Sequence, residues 1–489
     1  MKYKLVGAIS VILAVSIAFS APHFITSKGK RYHQHLEATV KTACSNSDDT
    51  FCTHLPLVQI NTNGEEIPGL PIRGEKYSYT RTDSGEKELL CNISITDNGD
   101  QNNRISDTPA ISSNAFIRVR GKSSRRFDKS GYAIKLVNDK GENNPQPVMG
   151  MDAHHEWVLH GPFLDKTLLR NYMWYNIAGE LMDYAPNVRF CEVILNGEYN
   201  GVYLMIETIT AGEDGARLKL SVNKKHNTFS GYLLRLDIGS DNDVKNIEPF
   251  SMYSYRHNTG RFDIEYPGIK NLNETLARKI CLDFSDFERS LYSFDYDRER
   301  YGYENYIDVN SFVDYFIINE FTCNYDAGAF STYIYKDIDD KYRMCVWDFN
   351  NSCDNYQEQH TEIDDFVLHD GIWYFMLCKD ENFTNKIIRR YKQLRKTYLS
   401  DEYLESYIDG TVEYLGDAID RNFEKWGYSF DKNHILLEPE ERHITSYDGA
   451  INQLKSFIKT RGAFLDENIE SLRQYSANSK TKIYNEYAN

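Results

Sequence analysis

At 489 residues, the chain is long enough for one large domain or two ordinary ones with sizeable cores. A 41% hydrophobic content with 36 Tyr and 25 Phe excludes a disordered chain. The formal charge of −16 argues against a nucleic-acid partner, because that binding rests on Lys and Arg neutralising phosphates.

Lys2 and Lys4 precede the run Leu5–Thr26, which has no formally charged residue, and Lys28, Lys30 and Arg31 follow. Residues 1–31 therefore read as a Sec-type signal or a membrane anchor with the body facing outward. The protein is expected at the cell membrane if this segment stays, and secreted if it is cut. Ala18 and Ser20 suit a cleavage site before Ala21. Residues 32–75 are polar and read as a tether and lead-in to the folded body. Nine cysteines show no zinc-ligand spacing. Cys44 and Cys52, and Cys345 and Cys353, are close enough in sequence to pair, and pairing stays open.

Ser78–Thr96 reads as two strand-like runs around the turn Asp83-Ser84-Gly85. Phe116–Arg120 and Tyr132–Leu136 alternate as a hairpin whose tip, Gly121-Lys122-Ser123-Ser124-Arg125-Arg126, is basic and small. Such a tip can cover phosphates with backbone N–H groups and charge, or it can be an ordinary solvated turn. Lys135, between Ile134 and Leu136, sits on the solvent face of its strand or points at an anion in a cleft. A helix is expected over Asp165–Leu181, with Asp165 as N-cap and Arg170 and Glu180 along it. Phe190–Leu195 and Gly201–Ile206 flank Asn196-Gly197, the sequence of a type I′ hairpin, which ends at Glu207. Gly231–Leu236 and Phe262–Tyr266 read as strands. Leu276, Ile280, Phe284, Phe287 and Leu291 mark one helix face. Further helices are expected over Trp373–Tyr398, Asp401–Lys425 and Ser446–Leu472, before a polar tail over residues 474–489.

The stretch Phe312–Tyr356 organises the rest. An apolar helical run ends in a turn carrying Asp326. Two strand runs, Thr332–Lys336 and Tyr342–Trp347, then form a hairpin that delivers Asp348, followed by Asn350, Asn351 and Asp354. Asp326 and Asp348 thus fall at one end of a hairpin. Phosphoryl transfer needs such a pair: one carboxylate to orient the attacking hydroxyl, the other to hold a metal on the triphosphate. Two solvated turns that contain Asp are the plainer alternative.

Five segments in order resemble the spore-coat-protein-H (CotH-type) family of atypical protein kinases. They are IRVRGKSSRRFDKSGYAIKL, FLDKTLLRNYMWYNIAGEL, VILNGEYNGVYLMIETI, GYLLRLDI with FDIEYPG, and NEFTCNYDAGAFSTYIYKD with VWDFN. The resemblance implies an α+β, kinase-like two-lobed fold over residues 76–473, with a β-rich N-lobe, a mainly helical C-lobe and a catalytic hairpin. It implies ATP with Mg²⁺ or Mn²⁺. Lys135 matches the lysine on the nucleotide phosphates, with Glu180 as its partner, and Gly121, Lys122, Ser123, Ser124 and Arg125 match the loop over them. Glu207 falls at the hinge to the adenine. Asp326 matches the catalytic aspartate and Asp348 the metal-binding one. The second metal-ligand positions fall on Ser331 and Asn350, neutral oxygens where the family often carries Asn and an acid. The implied function is phosphoryl transfer to Ser or Thr of surface or spore-coat proteins. The alternative is a catalytically weak pseudokinase acting as a surface scaffold for protein or polysaccharide.

Overall fold

Inward–outward alternation along seven strands builds the first half of the fold. The computed structural model describes residues 30–37, 51–75, 78–212, 215–221, 229–239, 244–247, 261–355, 363–433 and 443–476. The chain divides after Lys30, and all the elements described lie from Arg31 onward. Strands β1 (Leu57–Asn61), β2 (Leu89–Thr96), β3 (Ile111–Arg120), β4 (Gly131–Val137) and β5 (Glu156–His160) lead to helix α1 (Arg170–Leu181). Strands β6 (Val188–Leu195) and β7 (Glu198–Glu207) follow. They form a closed barrel in the order β1-β2-β3-β4-β5-β7-β6, sealed by parallel pairing of β1 with β6, Leu57 opposite Glu192. Ile117, Val119, Tyr132, Ile134, Trp157 and Leu159 fill its interior, while Arg118, Arg120 and Lys135 alternate outward and are half-buried. Closure leaves these strands no free edge. Asn196 and Gly197 have φ of 52° and 83°, as a type I′ turn between β6 and β7 requires.

The second half pairs a small sheet with helices. Strands β8 (Tyr232–Asp237) and β9 (Arg261–Tyr266) precede helices α2 (Glu274–Leu291) and α3 (Val309–Thr322). The expected hairpin is β10 (Thr332–Lys336) and β11 (Arg343–Cys345), and it joins β8 and β9 in a sheet ordered Asn246–Ile247, β9, β8, β10, β11. Helices α4 (Glu381–Leu394), α5 (Asp401–Leu415), α6 (Asp417–Trp426) and α7 (Tyr447–Asn468) complete the body. The Asn273 side chain caps α2 by accepting from the Leu276 N–H. The five apolar residues of its stripe are all buried, each contributing about 1.5–3 kcal/mol on leaving water.

Several expectations change. Ser78–Thr96 holds one strand, β2, because residues 78–88 turn instead of pairing in a ladder. Helix α1 starts at Arg170, since Asp165–Leu169 form a turn in which Leu168 has φ of 66°. The long helix expected over Asp401–Lys425 breaks at Gly416, whose φ of 45° and ψ of −129° suit only glycine. The helix expected over Trp373–Tyr398 is two pieces, Tyr374–Leu377 and α4, because Asp380 caps a new start. Of the segment read as a tether with an entry strand, Tyr32 is buried in the barrel core and the strand is Leu57–Asn61; residues 38–50 lie outside the described residues. Cys52 is disulfide-bonded, whereas Cys345 and Cys353 are free thiols; Cys44 lies outside the described residues. The run Leu5–Thr26 also lies outside them, as does most of the polar tail. Among the described residues, no helix is long and apolar enough to cross a membrane.

Candidate active site

The loop after β11 carries Asp348 in a left-handed backbone conformation, φ 60°. For a residue other than glycine this costs about 1–3 kcal/mol and persists only where the surroundings impose it. Helix α1 does so. The Tyr175 hydroxyl accepts from the Asp348 N–H at 2.8 Å, and Asn171 Oδ1 accepts from the Phe349 N–H at 2.8 Å. The buried Arg170 guanidinium donates to the carbonyls of Ser352 and Cys353 while paired with Asp165 at 2.6 Å. The Asn350 N–H in turn donates to Asp348 Oδ1 at 3.0 Å. Of the twelve residues of α1 only Glu180 escapes burial, so the helix is a rigid post for this loop.

Asp326 enters from the turn that ends α3, where Cys323 takes a left-handed cap with φ of 43°. Asn351 Nδ2 donates to Asp326 Oδ2 at 3.2 Å, and Asn324 Nδ2 donates to the Asp348 carbonyl at 3.3 Å. The two aspartates therefore share one site. Burial, then the neighbouring Asp348 charge, pushes the Asp326 carboxyl up to about 6, against the lowering effect of Asn351. An aspartate poised there can take a proton near neutral pH.

The same site leaves two amide oxygens, Asn324 Oδ1 and Asn350 Oδ1, buried without a hydrogen-bond partner. Two carboxylates beside two unengaged neutral oxygens make a hard-oxygen donor set that fits Mg²⁺ or Mn²⁺. Among the described residues no three His, Cys, Asp or Glu gather as a complete metal cage. Such a set binds a cation best when a phosphate supplies further oxygens.

The barrel presents a cation to this site. Arg120, at the end of β3 beside the Gly121 turn, lies 5.5 Å over the Trp347 ring. Its charge is felt by Tyr175 and by His160, as is that of Asp348. Arg118, two residues earlier on the strand, pairs with Glu88 at 3.2 Å, whereas half-buried Arg120 makes no ion pair among the described residues. His160 Nε2 faces Asn171 Nδ2 at 3.2 Å, which ties the barrel to the loop that holds Asp348.

The family described as CotH kinase protein matches residues 117–465. The chain belongs to that family. Inner spore coat protein H of Bacillus subtilis (strain 168) is 22% identical over 365 residues, covering 73% of this chain and 87% of the relative.

Within this member of the CotH family, the residues singled out from sequence divide into two groups. Asp326, Asp348 and Asn350 come together. The tip is a short turn over Ser123–Arg126, with Gly121 at φ 107° where any Cβ would overlap the Ser124 hydroxyl. Arg125 is engaged within the fold. It donates to the carbonyls of Gly121 and Gly69 and stacks 4.0 Å over Tyr79, so its guanidinium fastens the tip to the neighbouring loop. Lys122 is exposed. Lys135 stands on the outer barrel face in register with Glu156, four residues from Gly131, which pairs with Arg120. At strand rise that is about 13 Å away from the row carrying Arg120 and His160. Glu180 is engaged elsewhere, with His33 at 3.1 Å and Tyr398 at 3.2 Å, so the expected pairing with Lys135 has no support in the geometry. The buried Glu207 carboxylate pairs with Arg217 and accepts from the Asn187 N–H, and its own N–H donates to the Asn187 carbonyl, so the residue is engaged within the fold. Ser331, just before β10, has φ of 49°. Sequence reasoning passed over Arg120, Asn171, Tyr175 and His160. The one available signal for Arg120 was its place beside the glycine of the tip.

Proposed function

We propose that this protein transfers the γ-phosphoryl group of ATP to a Ser or Thr hydroxyl of a protein acceptor, within a kinase-like two-lobed layout of barrel and helical half. The observation that carries the reading is the meeting of Asp326, poised near neutrality, with Asp348, held in a strained conformation beside two unpartnered amide oxygens. Asp326 accepts the acceptor's proton as its oxygen attacks the γ-phosphorus; the bond to the bridging oxygen breaks and ADP leaves. Asp348, Asn350 and Asn324 would hold Mg²⁺ or Mn²⁺, which supplies charge neutralisation on the phosphates when bound. Arg120 offers a guanidinium to the phosphates from the barrel side. The spore-coat name of the relative favours a coat or surface protein as acceptor.

The test uses the full chain with γ-labelled ATP, Mg²⁺ or Mn²⁺, and an extract of coat proteins. Label should pass to protein. Asp348→Ala should abolish metal-dependent nucleotide binding, whereas Asp326→Asn should keep binding and lower transfer by about 10²-fold or more. Absence of nucleotide binding with either metal would overturn the reading.

A scaffold role is favoured by a separate observation. A groove of about 620 Å³ is lined by amides and hydroxyls that include Gln59, Asn61, Asn92 and Ser94, together with Ile60, Ile93 and Ile194, and by no charged side chain. Amides and hydroxyls of this kind suit a neutral polysaccharide. Glycan binding by an Asp348→Ala variant that has lost nucleotide would establish that second role.

A further inference from the structure

Arg31, which the sequence places at the end of a leader segment, is driven into the body of the protein. Its guanidinium donates to the Tyr175 carbonyl at 2.8 Å, to Ala185 at 2.7 Å and to Pro186 at 2.9 Å. Tyr175 lies in the middle of α1, and Ala185 and Pro186 lie in the segment that follows its end at Leu181. Burial works against the Arg31 charge and lowers its pKa, which the nearby Glu207 and Glu180 carboxylates only partly offset. Gly179 makes room, since a methyl group there would overlap the guanidinium. The next residues continue the grip. The Tyr32 carbonyl accepts from Asn176, Gln34 exchanges two hydrogen bonds with the Phe190 backbone, His33 meets Glu180, and His35 meets the Tyr172 hydroxyl at 3.0 Å.

Tyr175 is common to this grip and to the active site. Its carbonyl is held by Arg31 and its hydroxyl holds the Asp348 N–H. The Arg31 charge also acts on Cys345, three residues before Asp348. We propose that Arg31 is a positioning residue for Asp348, acting through Tyr175 and the α1 backbone. Its effect on nucleotide binding rests on the phosphoryl-transfer reading; its effect on the Asp348 loop does not.

The experiment measures amide hydrogen exchange over residues 346–350 in the full chain, without ligand, at a temperature where circular dichroism shows each variant folded. Arg31→Ala should speed exchange of the Asp348 amide at least tenfold. His33→Ala, which alters the same arm without touching Tyr175, should leave it within about twofold. Gly179→Ala is the sharper variant. Alanine is the better helix former, yet it should reproduce the Arg31→Ala signature because it expels the guanidinium. Unchanged exchange in folded Arg31→Ala or Gly179→Ala would make the arm a clasp only and overturn the proposal. Should neither fold, Tyr175→Phe decides. It keeps the carbonyl for Arg31 and removes the hydroxyl, so it must speed Asp348 exchange; no change would refute the path through Tyr175. A wild-type chain that binds no metal–nucleotide while these exchange results hold would sink the kinase reading and leave this inference standing.

Discussion

Arg120 and Lys135 both project from the outer barrel face, and their alternation is readable from sequence. What the sequence does not contain is which end of the strands meets the aspartates. That depends on Asn171 of α1 meeting both His160 on the barrel and the Phe349 N–H beside Asp348, contacts between residues far apart in the chain. The aspartates themselves were legible, because each follows a strand or helix end whose pattern is local. The expected outcome follows from geometry. Arg120→Ala should weaken ATP binding by about 10-fold or more, the loss of one or two charge-assisted contacts at about 1.5–3 kcal/mol each. Lys135→Ala should leave affinity within about twofold if its row is as remote as the register shows. Calorimetric titration of both variants with Mg²⁺–ATP checks this. Equal losses would mean the lysine reaches the phosphates after all.

At the scale of elements, α1 is the post to which both the barrel and the aspartate loop are tied. The sequence announces this helix by periodicity but cannot show that it is buried all round. A stripe of Leu168, Leu169, Tyr172, Tyr175 and Leu181 suggests one face inward and leaves Arg170 and Glu180 open as surface charges, yet Arg170 and its neighbour Asn171 are both buried. They are satisfied by backbone groups near Asp348, a kind of partner that composition does not reveal. The same blindness explains Gly416, which looks like one weak residue in a long helix and is a sharp break. Asn171→Leu fills a similar volume while stripping the Phe349 N–H and His160 of their partner. It should cost about 2–4 kcal/mol as two buried polar groups go unpaired, with the larger proportional loss in metal-dependent nucleotide affinity. Chemical denaturation paired with a nucleotide titration separates the two. A variant that loses stability but keeps affinity would show that the Asp348 loop does not depend on α1.

Across the whole molecule, buried titratable groups set a pH dependence that no single element shows. Burial holds His35, His154 and His160 down to about 4 and lowers His155 as well. Each stays neutral in the folded chain while its unfolded counterpart takes a proton near 6.5, so each withdraws stability as pH falls from about 6.5 toward 4. Asp326, raised to about 6, works in the opposite sense over the same window, as does the raised Glu320, because the folded state takes their protons first. The histidines outnumber the carboxyls, so the folded protein should lose stability on acidification, with a slope corresponding to roughly two protons. Urea denaturation at pH 7, 6, 5 and 4.5 reads that slope directly. His160→Gln isolates one contribution. It keeps an acceptor for Asn171 Nδ2 and cannot be protonated, so the slope should shrink by about one proton while stability at pH 7 stays nearly the same. Stability that is flat or rising between pH 6.5 and 4.5 in the parent chain would mean that these imidazoles are reached by water. His160 would then be too exposed to tie the barrel to the Asp348 loop.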